Sequence, residues 1–256
     1  MPQAPDHQFM QSRENEREQA RIADLMALLP ARGATVLDIG ARDGYLSLRL
    51  TSRFERVIAL DLTRPRVEHP KITTVAADAR SLPCADDSID AVLCAEVLEH
   101  IPPPALQEVC REIVRVTRSV AVIGVPNRQD LRLGQTTCGH CGGLNPPWGH
   151  VNSFDEARLT RLFEGLRPTA TRYVGSTRAR TNALSCRLMR YAGNPYGTYE
   201  QEEACIHCAK QLPPPECRSF MQKLATRAGT VLTNLQQHLT RSRGNWLHMS
   251  FEKPAS

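Results

Sequence analysis

The stretch that most constrains the fold of this chain is residues 34–47, which read A-T-V-L-D-I-G-A-R-D-G-Y-L-S. The apolar run around Val36 predicts a short buried parallel strand. Gly40 and Gly44 predict a sharp turn, after which the spacing of the leucines changes to a helical period. A strand, a glycine turn and a helix in this order are typical of nucleotide-type α/β folds, in which backbone approaches a ligand at the start of the helix. Two glycines alone also fit an ordinary turn, so the downstream sequence has to decide.

Composition indicates a globular chain. Its 256 residues, 41% hydrophobic and 23% charged, suit one α/β domain with an added lobe. No apolar run approaches the roughly 18 residues of a membrane span, and the N-terminus lacks the basic start and apolar core of a signal peptide. We therefore expect a cytoplasmic protein with no membrane partner. The net charge is +5, but the arginines are spread evenly along the chain, so charge does not favour a nucleic-acid partner.

Acidic residues follow the predicted strands one after another. Asp61 ends a second apolar run, Asp78 closes a third, and Glu96 follows a fourth. Parallel strands end on the same edge of a sheet, which is where ligands of open α/β sheets bind. A carboxylate about 20 residues beyond a glycine turn is also placed to accept hydrogen bonds from ribose hydroxyls. The pattern therefore predicts a nucleotide-type site at this edge.

Residues 34–127 resemble the core of a class I S-adenosylmethionine-dependent methyltransferase, and in particular the broad group that contains the ubiquinone-type O-methyltransferases. The matching motifs are V-L-D-I-G-A-R-D-G, A-L-D-L, A-A-D-A-R-S-L-P and D-S-I-D-A-V-L-C-A-E-V-L-E-H-I-P. The resemblance implies an α/β fold with a seven-stranded Rossmann-like sheet, in which six strands are parallel and the last is antiparallel. It also implies S-adenosyl-L-methionine as the cofactor.

The same resemblance assigns the cofactor site. The methionine part is expected at the glycine turn, the ribose at Asp61, the adenine at Asp78, and the amino end near Glu96. The complete expected set is Asp38, Gly40, Ala41, Gly44, Asp61, Leu62, Asp78, Ala79 and Glu96. This chain departs from the family at Arg42, where such turns usually carry a glycine. We expect the turn to tolerate that side chain because Gly44, nearest the helix, is kept.

Two C-x-x-C pairs, Cys138/Cys141 and Cys205/Cys208, predict a metal site. In a reducing compartment this spacing favours metal over disulfides, although free thiols or a redox pair remain the alternative. If each pair belongs to an insertion after a parallel strand, both insertions leave from the same edge of the sheet and can meet in space. The sequence then predicts one structural Zn²⁺ held by four cysteines, in a lobe that covers the acceptor pocket.

These motifs divide the chain into segments. Residues 1–11 are expected to be disordered, and residues 12–182 to form the Rossmann-like core, with the first cysteine pair in an insertion at 128–149. Residues 183–245 are expected to form a second insertion with the other cysteine pair and an amphipathic helix. Residues 246–256 supply the last strand and the tail.

Methyl transfer from a sulfonium depends on alignment, and an oxygen or nitrogen acceptor often needs a base. The candidates are Glu99, His100 and His150, although in this family the first two also brace a loop. The predicted function is O- or N-methylation of a small-molecule, sugar or natural-product acceptor, with structural zinc. The sequence leaves the acceptor and the oligomeric state undetermined.

Two alternatives stay open. Glu96, Glu99 and His100, with His150 downstream, resemble the metal centre of small-RNA 2′-O-methyltransferases, where oxygen-rich ligation suits Mg²⁺ or Mn²⁺. A nucleic-acid partner is not favoured, because no aromatic and basic RNA platform is visible in the sequence. The second alternative is a non-catalytic, zinc-stabilised interaction module on a methyltransferase fold, supported only by Arg42 and the large tail.

Overall fold

The computed structural model describes residues 15–195, 204–212 and 218–254, so the expectation of disorder at 1–11 lies outside the described residues. The main sheet has seven strands: β1 (Gly33–Ile39), β2 (Phe54–Asp61), β3 (Ile72–Ala76), β4 (Ile89–Ala95), β5 (Thr117–Pro126), β8 (Arg167–Val174) and β9 (Trp246–Glu252). The helices are α1 (Glu16–Leu28), α2 (Tyr45–Leu50), α3 (Pro103–Val116), α4 (Glu156–Leu162), α5 (Ala183–Tyr191) and α6 (Phe220–Leu239). A two-stranded hairpin, β6 (Thr136–Thr137) and β7 (Leu144–Asn145), follows β5, and a short 3₁₀ turn spans Pro147–Gly149.

The strand order is β3-β2-β1-β4-β5-β9-β8. β9 runs antiparallel to both of its neighbours, whereas the other pairs in the sheet are parallel. The predicted α/β fold, with six parallel strands and an antiparallel last strand, is therefore confirmed. The carboxyl ends of the parallel strands lie at one edge of the sheet, as the sequence pattern requires.

The sheet is covered on both faces. Leu37 and Ile39 of β1 belong to one apolar cluster with α3 and α4, and Val36 belongs to a second cluster with Leu25 of α1. Successive side chains of a strand point to opposite faces, so β1 is buried throughout its central part. This double covering explains the continuous apolar runs in the sequence.

β9 differs from its sequence pattern. Leu247, Met249 and Phe251 alternate with polar residues, which predicts that one face of the strand is exposed to solvent. In the structure His248 and Ser250 are also buried. The reason is that β9 lies between β5 and β8, where α1 covers the second face. His248 Nδ1 lies 2.7 Å from Asp24 Oδ2 of α1, which gives this buried imidazole a polar partner.

Two of the described helices between β8 and β9 form a small lobe. Its helices α5 and α6 pack on one another through small residues of α6, namely Ala225, Gly229 and Thr233. A Cβ at Gly229 would lie 3.3 Å from Met189 Cγ, so the glycine allows the two helices to approach closely. Among the described residues, no helix combines the length and apolarity that a membrane crossing requires.

Candidate functional site

The glycine turn between β1 and α2 needs both of its glycines. Gly40 has φ +78° and Gly44 has φ +81°, and both values lie in the left-handed region. An added Cβ would lie 2.3 Å from Val97 Cγ2 at Gly40 and 2.5 Å from Val67 Cβ at Gly44. Gly44 is also the N-cap of α2. The turn therefore brings bare backbone to the edge of the sheet, as expected.

Asp38, near the end of β1, is a buried carboxylate. It is 2% exposed, and Ser47 Oγ donates a hydrogen bond of 2.6 Å to its Oδ2. Burial raises the pKa of Asp38 to about 7, although the Ser47 hydrogen bond opposes this shift. A carboxylate in this environment is suited to a cationic ligand group, which would replace the lost solvation.

The acids beyond β2 and β3 have different surroundings. Asp61 Oδ2 accepts a hydrogen bond of 2.9 Å from the backbone N–H of Arg42, so it is tied to the glycine turn. Asp78 pairs with Arg80, and the hydrogen bonds from that guanidinium lower the pKa of Asp78. Ala79 is 8% exposed, whereas Leu62 is 74% exposed. These four residues lie at the expected edge but outside the lining of the cavity described next.

A cavity of about 840 Å³ opens at this edge. Of the sequence-predicted residues, Asp38, Gly40, Ala41, Glu96, His100 and His150 line it. The insertion after β5 supplies part of its wall through residues that include Leu133 and Trp148. The predicted insertion therefore does contribute to the cavity, but through its loop and not through its cysteines.

Sequence reasoning missed Arg21 of α1 and Trp246 of β9, which also line the cavity. Trp246 Nε1 donates a hydrogen bond of 3.3 Å to Glu96 Oε2, and Arg21 Nη1 lies 3.9 Å from Glu96 Oε1. Burial raises the pKa of Glu96 to about 7, and the charge of Arg21 opposes this shift. The only sequence signal for Arg21 was its place beside Ile22 and Leu25 on the buried face of α1.

Glu99, His100 and His150 come together, with their candidate ligand atoms within 4.8 Å of one another. The His100 and His150 rings meet edge to face, with centroids 4.6 Å apart. Glu99 is fully buried, and neither of its carboxylate oxygens has a hydrogen-bond partner in the described part of the chain. Burial raises the pKa of Glu99 and lowers that of His150 to about 4. Glu96 is not part of this group, because it faces Arg21 and Trp246 instead.

Gln129, also missed from the sequence, orients His150. The distance between His150 Nδ1 and Gln129 Oε1 is 2.6 Å. Because an amide oxygen only accepts, His150 Nδ1 carries the proton and Nε2 keeps the lone pair. The Glu99 backbone is held as well, since its carbonyl accepts the N–H of Val151 at 2.7 Å. The Val151 bond joins the loop after β4 to the segment that precedes α4.

The two cysteine pairs also meet, as the sequence predicts. Cys138 Sγ lies 3.7 Å from Cys208 Sγ, and Cys141 Sγ lies 3.7 Å from Cys205 Sγ. All four sulfurs lie within 4.8 Å of one another. Four sulfurs at the usual Zn–S distance of about 2.3 Å in a tetrahedron are about 3.8 Å apart. The His207 backbone N–H donates to Cys205 Sγ at 3.4 Å, as in a metal-binding knuckle. The donor set therefore fits Zn²⁺.

Comparison with known proteins adds a family match. Residues 37–123 match a family model described as a methyltransferase domain. An uncharacterized methyltransferase of Mycobacterium tuberculosis is 36% identical over 113 residues, which cover 42% of this chain and 45% of that protein. A probable S-adenosylmethionine-dependent methyltransferase of Mycolicibacterium smegmatis is 31% identical over 139 residues, covering 52% of this chain and 51% of that protein. The chain thus spans about half the length of the curated relatives it matches.

The fold has counterparts among solved structures. A putative methyltransferase from Bacillus halodurans C-125 superposes with a TM-score of 0.59 at 15% identity, covering 91% of this chain and 99% of that one. This likeness concerns the fold alone, and it agrees with the strand order described above. Residues 37–123 therefore match a methyltransferase domain, and the seven-stranded sheet that contains them shares its fold with that solved structure.

Proposed function

We propose that this protein is an S-adenosylmethionine-dependent methyltransferase that transfers a methyl group to an oxygen or nitrogen of a small-molecule acceptor, such as a sugar or a natural product. The observation that carries the proposal is that one cavity is lined both by the buried Asp38 at the glycine turn and by His100 and His150. Ligand cavities commonly measure about 300–1,000 Å³, so a volume of about 840 Å³ has room for a cofactor and part of an acceptor.

Each residue has a role in this proposal. Asp38 faces the positively charged amino end of the cofactor, in place of Glu96, whose carboxylate faces Arg21 and Trp246. The glycine turn lets backbone approach the cofactor, and Asp61, which is bonded to that turn just outside the cavity lining, accepts hydrogen bonds from the ribose hydroxyls. His150 Nε2, with its lone pair fixed by Gln129, takes the acceptor proton, with Glu99 and His100 beside it. S-adenosylmethionine supplies the methyl group and a neutral leaving thioether. The protein contributes alignment and water exclusion.

A second cavity of about 240 Å³ supports a hydroxyl-rich acceptor. It adjoins the first, because Leu133 and Gly134 line both. Its α6 wall carries hydroxyl and amide groups at helical spacing: Thr230, Thr233, Asn234 and Gln237. These uncharged groups can donate and accept hydrogen bonds to sugar hydroxyls, while Arg132 and apolar side chains such as Met189 form the rest of the lining.

Calorimetry with S-adenosylmethionine and S-adenosylhomocysteine is the first test, followed by transfer of a labelled methyl group to glycosides, phenols and short RNAs. Micromolar cofactor binding and transfer to a hydroxyl-rich small molecule are expected. A chain that binds neither cofactor would be a non-catalytic interaction module. Transfer to RNA alone would overturn the small-molecule assignment. We also propose that the four cysteines hold one structural Zn²⁺, since they leave no ligand position open.

A second candidate is the same transfer with a catalytic divalent ion. It is favoured by the two unpartnered oxygens of Glu99 beside two imidazoles, a donor set that suits non-haem iron and other first-row metals. Gln129 would fix the liganding tautomer of His150 as outer partners of metal sites do. Such an ion would polarise the acceptor oxygen. Chelator-treated protein that loses transfer and regains it with Mn²⁺ or Mg²⁺, but only when Glu99 is intact, would establish this candidate. Unchanged transfer after chelation would remove it.

A further inference from the structure

The long helix α6 turns an apolar face outward. Six of its residues form what we call the outer stripe: Phe220, Leu224, Ala228, Val231, Leu235 and Leu239. The five large side chains are between 47% and 83% exposed, and Ala228 is exposed as well. No described helix or strand covers the stripe, because within the described residues α6 packs on α5 through its other side.

The orientation of α6 is the reverse of that of an ordinary surface helix. A helix on a globular core places its apolar stripe inward and its polar residues outward. In α6 the polar groups, such as Thr233 and Gln237, face the second cavity. Contiguous exposed apolar surface of this kind usually marks an interaction site. The inner polar face is explained by the cavity, so the outer stripe needs its own explanation.

The spacing of the outer stripe indicates what covers it. Its members follow one another at intervals of 4, 4, 3, 4 and 4 residues, a series that reads the same in both directions. Each of the first three members is also followed by another member 11 residues later. An 11-residue repeat stays nearly in line along a helix of 3.6 residues per turn, so the stripe runs almost parallel to the axis of α6. It can therefore contact a second helix over much of its roughly 30 Å length.

We infer that the outer stripe pairs with the same stripe of a second copy of this chain, with the two α6 helices antiparallel about a two-fold axis. In this register Phe220 lies opposite Leu239 of the second copy, Leu224 opposite its Leu235, and Ala228 opposite its Val231. Every apolar side chain meets an apolar partner because the spacing is symmetric. The small Ala228 beside the axis lets the two helices approach closely. This self-complementarity is what an isologous interface requires.

Charge favours the same arrangement. α6 contains no acidic residue, and its two permanently charged side chains, Lys223 and Arg227, lie in its N-terminal half. Antiparallel pairing places these cations near the C-terminal half of the other helix, where the helix dipole is negative. Parallel pairing would instead place each cation beside the same cation of the other chain. The five large side chains of the stripe each expose on the order of 100 Å², so together they would bury on the order of 500 Å² per partner, and flanking side chains of α6 would supply the rest of the roughly 800 Å² per partner of a standard interface.

Pairing would also steady the proposed acceptor region. The inner side of α6 forms a wall of the second cavity, and α5 is its main support in the described chain. A second α6 against the outer stripe would hold that wall from outside.

The test is the mass of the full chain in solution, measured by light scattering and sedimentation equilibrium up to about 100 µM. The wild type is expected at twice the chain mass of 28.5 kDa. Leu224→Glu and Leu235→Lys should each weaken dimerisation at least about 100-fold, because each would bury an unpaired charge. The double variant should regain the dimer, since antiparallel pairing sets each new acid opposite a new amine. The two positions are 11 residues apart on one helix, so they cannot pair within it.

Leu48→Glu on α2 is the matched control. Leu48 is 43% exposed, close to the 47% of Leu224, and lies near the far side of the sheet from the α5–α6 lobe. This variant should keep the wild-type mass. A monomeric wild type would overturn the inference, whether another part of this chain or a different protein covers the stripe. Dimers that survive both single substitutions would place the interface elsewhere. Failure of the double variant to recover would exclude the antiparallel register.

Discussion

The backbone N–H of Arg42 donates a hydrogen bond to Asp61 Oδ2 over 2.9 Å. Arg42 has φ +48°, so a side chain occupies a left-handed position where related turns carry glycine. Left-handed backbone costs a non-glycine residue about 1–2 kcal/mol. The Asp61 carboxylate supports this conformation and joins the glycine turn to the end of β2. The expectation that the turn tolerates Arg42 therefore has a structural basis.

Substitution in this turn should have opposite effects at two neighbouring positions. Arg42→Gly should stabilise the protein by about 0.5–1 kcal/mol, because relief of the left-handed strain exceeds the extra entropy of glycine in the unfolded chain. Gly44→Ala should destabilise it by about 2 kcal/mol or more, since its Cβ would meet Val67 at 2.5 Å. Urea unfolding measures both. Equal effects of the two substitutions would contradict this account of the turn.

Asp61→Asn should weaken S-adenosylhomocysteine binding by about 10- to 100-fold, because it removes charge-assisted hydrogen bonds to the ribose and weakens the bond to Arg42. Calorimetry gives the dissociation constant. Asp86→Asn is the control, since the Asp86 side chain is 75% exposed and pairs with Arg115 away from the turn. If both variants bind like the wild type, Asp61 does not hold the ribose.

Asp38 should make the stability of the ligand-free protein depend on pH. Its pKa of about 7 in the folded state is above the usual 3.8, so between these values the folded state binds one more proton than the unfolded state. Stability contributed by that proton is present below about pH 4 and is lost as pH rises to 7, by up to about 4 kcal/mol. Asp38→Asn should reduce the loss of stability between pH 5 and pH 8 and leave the part due to Glu96, whose pKa is also raised to about 7, as thermal unfolding of the two proteins at both pH values would show.

The same residue predicts pH-dependent cofactor binding. The cationic amino group of the cofactor pairs with the ionised carboxylate, so affinity for S-adenosylhomocysteine should rise as pH increases through 7. In Asp38→Asn the affinity should be lower and nearly constant across this range. A wild-type affinity that falls over the same interval would contradict the proposed contact.

Zinc removal should destabilise the part of the protein that contains the cysteines, namely the insertion after β5 and the segment of the lobe around Cys205 and Cys208. As-purified protein is expected to carry one zinc per chain, and Cys138→Ser or Cys205→Ser to carry less than about a tenth of that. Loss of the metal should cost at least about 4 kcal/mol of lobe stability, because metal binding free energy is folding free energy in such sites. Cys84→Ser is the control, since Cys84 packs beside the main apolar cluster instead. Full stability without zinc would refute a structural site.

The candidate base predicts a graded series. His150→Ala should lower the rate at saturating substrate by about 100- to 10,000-fold. Gln129→Leu should lower it by less, because His150 remains but its proton is no longer held on Nδ1. Cofactor affinity should stay unchanged in both. His100→Ala distinguishes the two imidazoles, because His100 is exposed whereas His150 is buried. An unchanged rate in His100→Ala removes it from the catalytic set, and an unchanged rate in His150→Ala removes the proposed base.

The sequence by itself determined the features that depend on local pattern. Apolar runs ended by acids predicted the parallel strands and the ligand edge, Gly40 and Gly44 predicted the turn, and two C-x-x-C pairs predicted a four-sulfur cluster. These succeed because each depends on a few neighbouring residues or on the shared edge of a parallel sheet.

Tertiary structure decided the rest, because it depends on contacts between distant segments. Arg21 and Trp246 join the cavity only because α1 and β9 pack beside β5. Gln129 orients His150 only because the two ends of the insertion after β5 meet. Burial, which no spacing reveals, gives Asp38 and Glu99 their raised pKa values. Periodicity likewise predicted that α6 is amphipathic but not that its apolar face points outward, since the direction of a face is set by what the helix packs against.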